Sequence, residues 1–130
     1  MDRLSPEQAC DLRAKPREAA MAFWEAAEAE GRRTGKLSQV VRLLVLADLY
    51  YLLVRVCRRV DMLNDFAFAR CREVEAAPNG YLDLWAREHF KSSIITFGLT
   101  IQDILRDPEI TFGIFSHTRP IAKAFLRQIM

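Results

Sequence analysis

Apolar residues recur at helical spacing through the first half of the chain. Residues 5–8 (SPEQ) offer a capping serine, a proline at the first helical position and a glutamine three residues after the cap, which predicts a helix start. Pro16 is expected to open a second helix and Gly31 to close it as a C-terminal cap. A long third helix is predicted over residues 38–59 and a shorter one over residues 65–76.

The pattern changes after the turn signal Pro78-Asn79-Gly80. Apolar and polar residues alternate over residues 81–86 with the period of a strand, and the pattern of residues 111–116 predicts a second strand. Residues 91–106 are apolar almost all round, so the pattern leaves strand and helix both open. A final amphipathic helix is predicted to begin at Thr118. This order predicts an α/β fold, with a helical N-terminal region followed by the start of a parallel sheet.

Two strands joined by one crossover do not make a stable parallel sheet, which needs more strands and both faces covered. The sequence is therefore expected to be an incomplete, truncated domain.

Composition narrows the classes of function. The 130 residues are 51% hydrophobic and 28% charged, with a net charge of +2, so neither disorder nor an overall electrostatic attraction to nucleic acid is expected. The three cysteines and two histidines lack zinc-site spacing. The most apolar stretch, residues 40–56, contains Arg42, Asp48 and Arg55, so a buried helix is predicted there and not a membrane span.

Candidate phosphate chemistry lies where the first predicted strand meets a helix, at residues 85–93 (WAREHFKSS). A phosphate-binding loop places a lysine on the β- and γ-phosphates and the next serine or threonine on Mg²⁺, and Lys91 and Ser92 have that order. Trp85 and Phe90 occupy the two positions at which the motif has glycine. An ordinary loop is therefore the alternative.

Three separated segments carry a family resemblance: residues 70–74 (RCREV), 82–92 (LDLWAREHFKS) and 113–123 (GIFSHTRPIAK). In this order they resemble the N-terminal ATPase region of the large terminase subunit of tailed bacteriophages. That family drives double-stranded viral DNA into a capsid by ATP hydrolysis and cuts it with a second, nuclease domain. The resemblance implies a helical region over residues 1–64 and the start of a P-loop ATPase domain over residues 65–130.

The resemblance also implies the site residues. Lys91 would bind the β- and γ-phosphates of ATP, with Ser93 beside it, and Ser92 would hold Mg²⁺. Arg87 would act in cis on the γ-phosphate, as arginine fingers do. The alternative for Arg87 is a surface ion pair with Glu88 or a neighbour. His89 is expected to support the backbone or to be exposed, while His117 either has a minor polar role or helps to cap the last helix.

The acidic residues that hydrolysis requires are missing from this pattern. The one apolar run that ends in an acid, residues 43–48, lies before the loop, inside a predicted helix, and so does not fit the acidic segment of an ATPase. The chain alone is therefore expected not to turn over ATP. By resemblance, the parent protein's partners are double-stranded DNA, the portal and the small terminase subunit, in the cytoplasm of a bacterial host. No membrane partner is expected.

The alternative function is a truncated, non-catalytic helical interaction protein, or a prophage remnant. Residues 66–74 and the long third helix would then form the partner surface. Arg119, Lys123 and Arg127 recur every four residues without an acidic partner in the sequence pattern. This row is either a stripe that contacts DNA phosphates or the solvated face of an amphipathic helix.

Overall fold

The computed structural model describes residues 4–76, 92–115 and 118–130. The chain divides into two compact units, Met1–Ala77 and Pro78–Met130, which are described separately below. The sequence predicts a different division, a helical region over residues 1–64 and the start of an ATPase domain over residues 65–130. That division stays a prediction.

The first helix, α1 (Pro6–Ala14), begins as its sequence predicts. The Ser5 hydroxyl accepts a hydrogen bond from the Gln8 amide at 3.2 Å, and the Gln8 side-chain oxygen accepts one from the Ser5 amide at 3.1 Å. This reciprocal cap satisfies two donors that the helix itself leaves without a partner. Leu12 of α1 is buried and anchors the helix to the first unit.

The second helix, α2 (Arg17–Thr34), extends beyond the predicted cap at Gly31. It ends at Gly35, which has a φ of 73°, a left-handed conformation that costs glycine little. Gly31 serves packing instead. A Cβ atom added there would lie 3.0 Å from Cγ2 of Val40 and 3.1 Å from Cα of Leu37. The absent side chain therefore lets the third helix approach α2 closely.

The predicted long third helix is two helices. The first, α3 (Leu37–Ala47), ends before Asp48, and the second, α4 (Leu49–Tyr51), continues as a π-helix over Leu52–Val56. The two are bent by 119°. Asp48 ends one helix and caps the next, because its side chain accepts hydrogen bonds from the amides of Tyr50 and Tyr51.

A short 3₁₀ helix (Val60–Met62) leads to α5 (Asp65–Ala76), which has the predicted bounds. The core of this unit is aromatic as well as aliphatic. The Trp24 ring contacts the Tyr51 ring edge-on, with centroids 5.2 Å apart, and the Tyr50 ring meets Phe68 in the same manner at 5.2 Å. The largest fully buried side chains of the first unit are Trp24, Tyr50, Tyr51, Leu12, Leu44, Leu49, Leu52, Leu53, Met62 and Asp48.

The regular secondary structure in the described part of the second unit is helical. A π-helix over Ser92–Leu99 continues into α6 (Thr100–Arg106), and α7 (Arg119–Ile129) packs against that π-helix. Residues 92–106 are therefore helical, one of the two outcomes their pattern left open. The predicted final helix is confirmed.

The predicted α/β fold is wrong. Over residues 4–76, 92–115 and 118–130 the secondary structure consists of helices and no strand. The second predicted strand, residues 111–116, has no regular structure over its described residues 111–115. A β-forming sequence adopts a strand only where a neighbouring strand accepts its hydrogen bonds, and here the preceding segment has its hydrogen bonds within a helix. The first predicted strand, residues 81–86, lies outside the described residues.

Candidate functional site

The predicted phosphate site lies mostly outside the described residues. Arg87, His89 and Lys91 fall within residues 77–91, and His117 falls within residues 116–117. Ser92 and Ser93 belong to the described π-helix of the second unit, and Ser93 is half-buried. The roles given to Arg87, Lys91, Ser92 and Ser93 by resemblance stay predictions. Within the described ranges, no group of three or more His, Cys, Asp and Glu residues is arranged to hold a metal ion.

Buried charges cluster at the bend between α3 and α4. Asp48 is fully buried. Its Oδ1 accepts a hydrogen bond from Nη1 of Arg72 at 2.7 Å, and its Oδ2 accepts one from Nη2 at 3.1 Å. Oδ2 also accepts a hydrogen bond from Nε1 of Trp24 at 3.0 Å. Together with the two capped amides of α4, these contacts use both oxygens of the Asp48 carboxylate, so a charge without access to water is fully hydrogen-bonded.

Glu75 is a second carboxylate beside this pair. Its Oε1 accepts hydrogen bonds from the Leu49 amide at 3.2 Å and from Nη1 of Arg72 at 3.1 Å. Its Oε2 lies 2.9 Å from Nε of Arg13, although that N–H donates to the Ala47 carbonyl at 3.3 Å. The Oε2 atom therefore forms an ion pair with Arg13 but accepts no hydrogen bond. We call Asp48, Arg72, Glu75 and Arg13 the bend cluster.

The environment of the bend cluster raises the pKa of Glu75 to about 7. Burial is the largest cause, since it disfavours the charged form, and the negative charge of Asp48 adds to it. Arg72 and Arg13 oppose both effects. Burial and the same two carboxylates also raise the pKa of the Cys71 thiol, so this cysteine is not a ready nucleophile.

The bend cluster is built to hold the fold. It joins α1, the α3–α4 bend and α5 through two arginines and two carboxylates. Asp48 has no exposed surface and the Glu75 side chain is 2% exposed, so neither can contact a ligand from solution in this conformation. The sequence offered one signal of it, a lone aspartate inside an apolar run.

Cations line one side of α7. Arg119, Lys123 and Arg127 are exposed and, at four-residue spacing, succeed one another by about 6 Å along the helix axis. None of the three forms an ion pair with a described residue, and the sequence of α7 contains no acid. We call these residues the cationic row.

A groove lies beside the cationic row. It has a volume of about 230 Å³ and is lined by Phe112, Ile114, Ala122 and Leu126 together with Arg119 and Lys123. A second hollow of about 320 Å³ is lined by Pro120 and the cationic row itself. No residue of α7 is buried. Apolar and cationic side chains are therefore accessible on the same surface.

No protein-family model, curated protein or solved structure matches this chain. The resemblance to the terminase large subunit therefore stays a prediction that rests on the sequence segments alone. Among the described residues, no single helix is long and apolar enough to cross a membrane. The helices Leu37–Ala47 and Leu49–Val56 reach that length and apolarity only when taken together across their bend.

Proposed function

We propose that this chain is a non-catalytic helical binding protein that attaches to anionic partners through the cationic row of α7. The observation that carries the proposal is the row itself: three exposed basic residues on one side of a helix that contains no acid. This function develops the alternative of a helical interaction protein and moves its partner surface to α7, since residues 44–47 at the end of α3 are buried.

The chemistry of the row suits a surface of many negative charges. Each basic residue close to an anionic surface contributes about 1 kcal/mol, and salt screens the interaction over about 8–10 Å. Several other arginines in the described chain are already engaged, as Arg33 is with Glu30 and Arg59 with Asp61. The cationic row has no such competitor among the described residues, so its charge is available to a partner.

The test is retention on immobilised heparin, a sulfated polyanion. The substitutions Arg119→Gln, Lys123→Gln and Arg127→Gln are made together and should move elution to a much lower salt concentration. The matched control changes three cations of the first unit to glutamine: Lys36, Arg42 and Arg58, which are also exposed. Both variants lose the same charge, so equal losses of retention would contradict a specific role for α7.

Nucleotide binding is the second candidate, in which the chain would be part of a terminase large subunit that binds ATP and Mg²⁺. One observation favours it: the helix described over Ser92–Leu99 follows Lys91 in sequence, and helix N-termini offer amide N–H groups to anions. The test is binding of a fluorescent ATP analogue with Mg²⁺. Lys91→Ala should abolish it, and unchanged affinity in that variant would end the proposal.

A further inference from the structure

We infer that α7 and the groove beside it bind the surface of a bilayer that contains anionic lipids, since cationic and exposed apolar side chains share that surface. This inference rests on the proposed function and names its partner. It departs from the expectation that no membrane partner exists, which considered only membrane-spanning segments. A helix that lies in the interface needs no such segment.

The first supporting observation is the distribution of residues around α7. At 3.6 residues per turn, the cationic row covers about 80° of the helix circumference. Ile121, Phe125 and Ile129 form a stripe on the opposite side, where Phe125 and Ile129 are half-buried. Leu126, about 20° from Arg119 around the helix axis, is the apolar residue of α7 that borders the row on its own side.

The second observation is the exposure of apolar side chains next to the cations. Leu126 is 47% exposed and Phe112, across the groove, is 39% exposed. Phe115 and Met130, which flank α7 in sequence, are 94% and 93% exposed. Transfer of large apolar side chains out of water is favourable. The hydrocarbon region of a bilayer can receive these side chains while lipid headgroups contact the cationic row.

Charge complementarity selects anionic lipid over neutral lipid. The described acids of the second unit, Asp103, Asp107 and Glu109, precede the groove in sequence, and none of them lines it. The surface that would face the headgroups is therefore cationic. Juxtamembrane basic residues are attracted to phosphatidylserine and related lipids for this reason.

Apolar exposure favours a bilayer over a nucleic-acid duplex. A duplex offers phosphates to Arg119, Lys123 and Arg127, but contacts to its backbone leave Phe112 and Leu126 in water. A bilayer accommodates both kinds of side chain at once. The two partners therefore differ in their dependence on the apolar residues, and this difference can be measured.

The experiment is co-sedimentation of the full chain with vesicles of phosphatidylcholine, alone or mixed with phosphatidylserine. Binding is expected only to the mixed vesicles. The glutamine triple variant of the cationic row should lose about 100-fold in affinity, whereas the control triple Lys36, Arg42 and Arg58 to glutamine should retain it. Duplex DNA is measured in parallel.

Apolar variants identify the partner. Phe115→Ser with Met130→Ser should lower vesicle affinity at least about tenfold and leave heparin retention unchanged. These side chains are almost fully exposed, so their loss should not unfold the protein, and circular dichroism checks this. Leu126→Ser with Phe112→Ser is the second pair and should behave in the same way.

The possible failures are distinct. Retention on heparin or binding to DNA without binding to phosphatidylserine vesicles would overturn the membrane inference and leave the proposed function standing. If neither pair of serine substitutions weakened vesicle binding, the apolar side chains would not enter the bilayer, and the inference would be overturned. Absence of both heparin retention and vesicle binding would overturn the proposed function itself.

Discussion

Arg72 and Asp48 form a two-point ion pair inside the first unit, although 24 residues separate them in sequence. The pair is almost entirely removed from solvent: the side chain of Asp48 is 0% exposed and that of Arg72 is 13% exposed. Asp48 also caps α4 and accepts a hydrogen bond from Trp24. The bend between α3 and α4 therefore depends on a residue supplied by α5.

Removing the arginine should destabilise the protein strongly. Arg72→Met keeps apolar volume beside the Phe68 ring, over which the guanidinium lies at 4.7 Å, but it leaves the buried Asp48 charge without its partner. Breaking a buried pair in this way costs about 3–5 kcal/mol. Urea unfolding followed by circular dichroism measures the change in the free energy of unfolding.

The control for this prediction is Arg33→Ala, which breaks an exposed ion pair with Glu30 and should leave the urea midpoint almost unchanged. If Arg72→Met were no more destabilising than Arg33→Ala, the bend cluster would not hold the first unit together.

Glu75 should make stability depend on pH. Its pKa in the folded protein is raised from 4.5 to about 7, so the folded state binds a proton that the unfolded state has released over this range. The resulting stabilisation is complete below about pH 4.5 and is lost as the pH rises through 7, a loss of up to about 3 kcal/mol.

Glu75→Gln isolates this effect, because glutamine has a similar shape and does not titrate. The free energy of unfolding is measured for both proteins by urea titration across the range. As the pH rises, the wild type should lose stability relative to the variant, so the free energy of unfolding of the wild type should fall more than that of Glu75→Gln. Parallel pH profiles would show that Glu75 titrates at its ordinary pKa.

Gly35 should be the sensitive glycine at the end of α2. Its φ of 73° is unfavourable for residues with a Cβ atom, so Gly35→Ala should cost about 1 kcal/mol, even though no atom lies within 4 Å of the added Cβ. Gly35→Asn should cost less, since asparagine tolerates this conformation better. Thermal unfolding compares the three proteins, and an Ala variant as stable as wild type would refute the role of φ.

Local sequence signals predicted some elements well. Residues 5–8 contain a complete reciprocal cap, and α5 has regular helical spacing, so both were confirmed. The prediction that Gly31 caps α2 was wrong, because composition alone does not distinguish a glycine that ends a helix from one that lets a neighbouring helix pack closely. The strand predicted over residues 111–116 was wrong because β-propensity takes effect only with a pairing partner.

The bend cluster could not be predicted from local pattern. Asp48 sits in a run of apolar residues that continues helical periodicity on both sides, so the sequence favours one long helix. The helix breaks there because Trp24 and Arg72 bring donors to that carboxylate from distant positions in the chain. The cationic row, by contrast, was visible in the sequence, although its accessible apolar neighbours on the groove were not.

The most direct test of the cationic row as the binding surface is a map of backbone amide chemical shifts during titration with a soluble heparin fragment. We predict that the largest changes fall within residues 112–130, centred on Arg119, Lys123 and Arg127, and that the glutamine triple variant shows none of them. Changes of equal size in the first unit, or changes that persist in the triple variant, would contradict the proposed function.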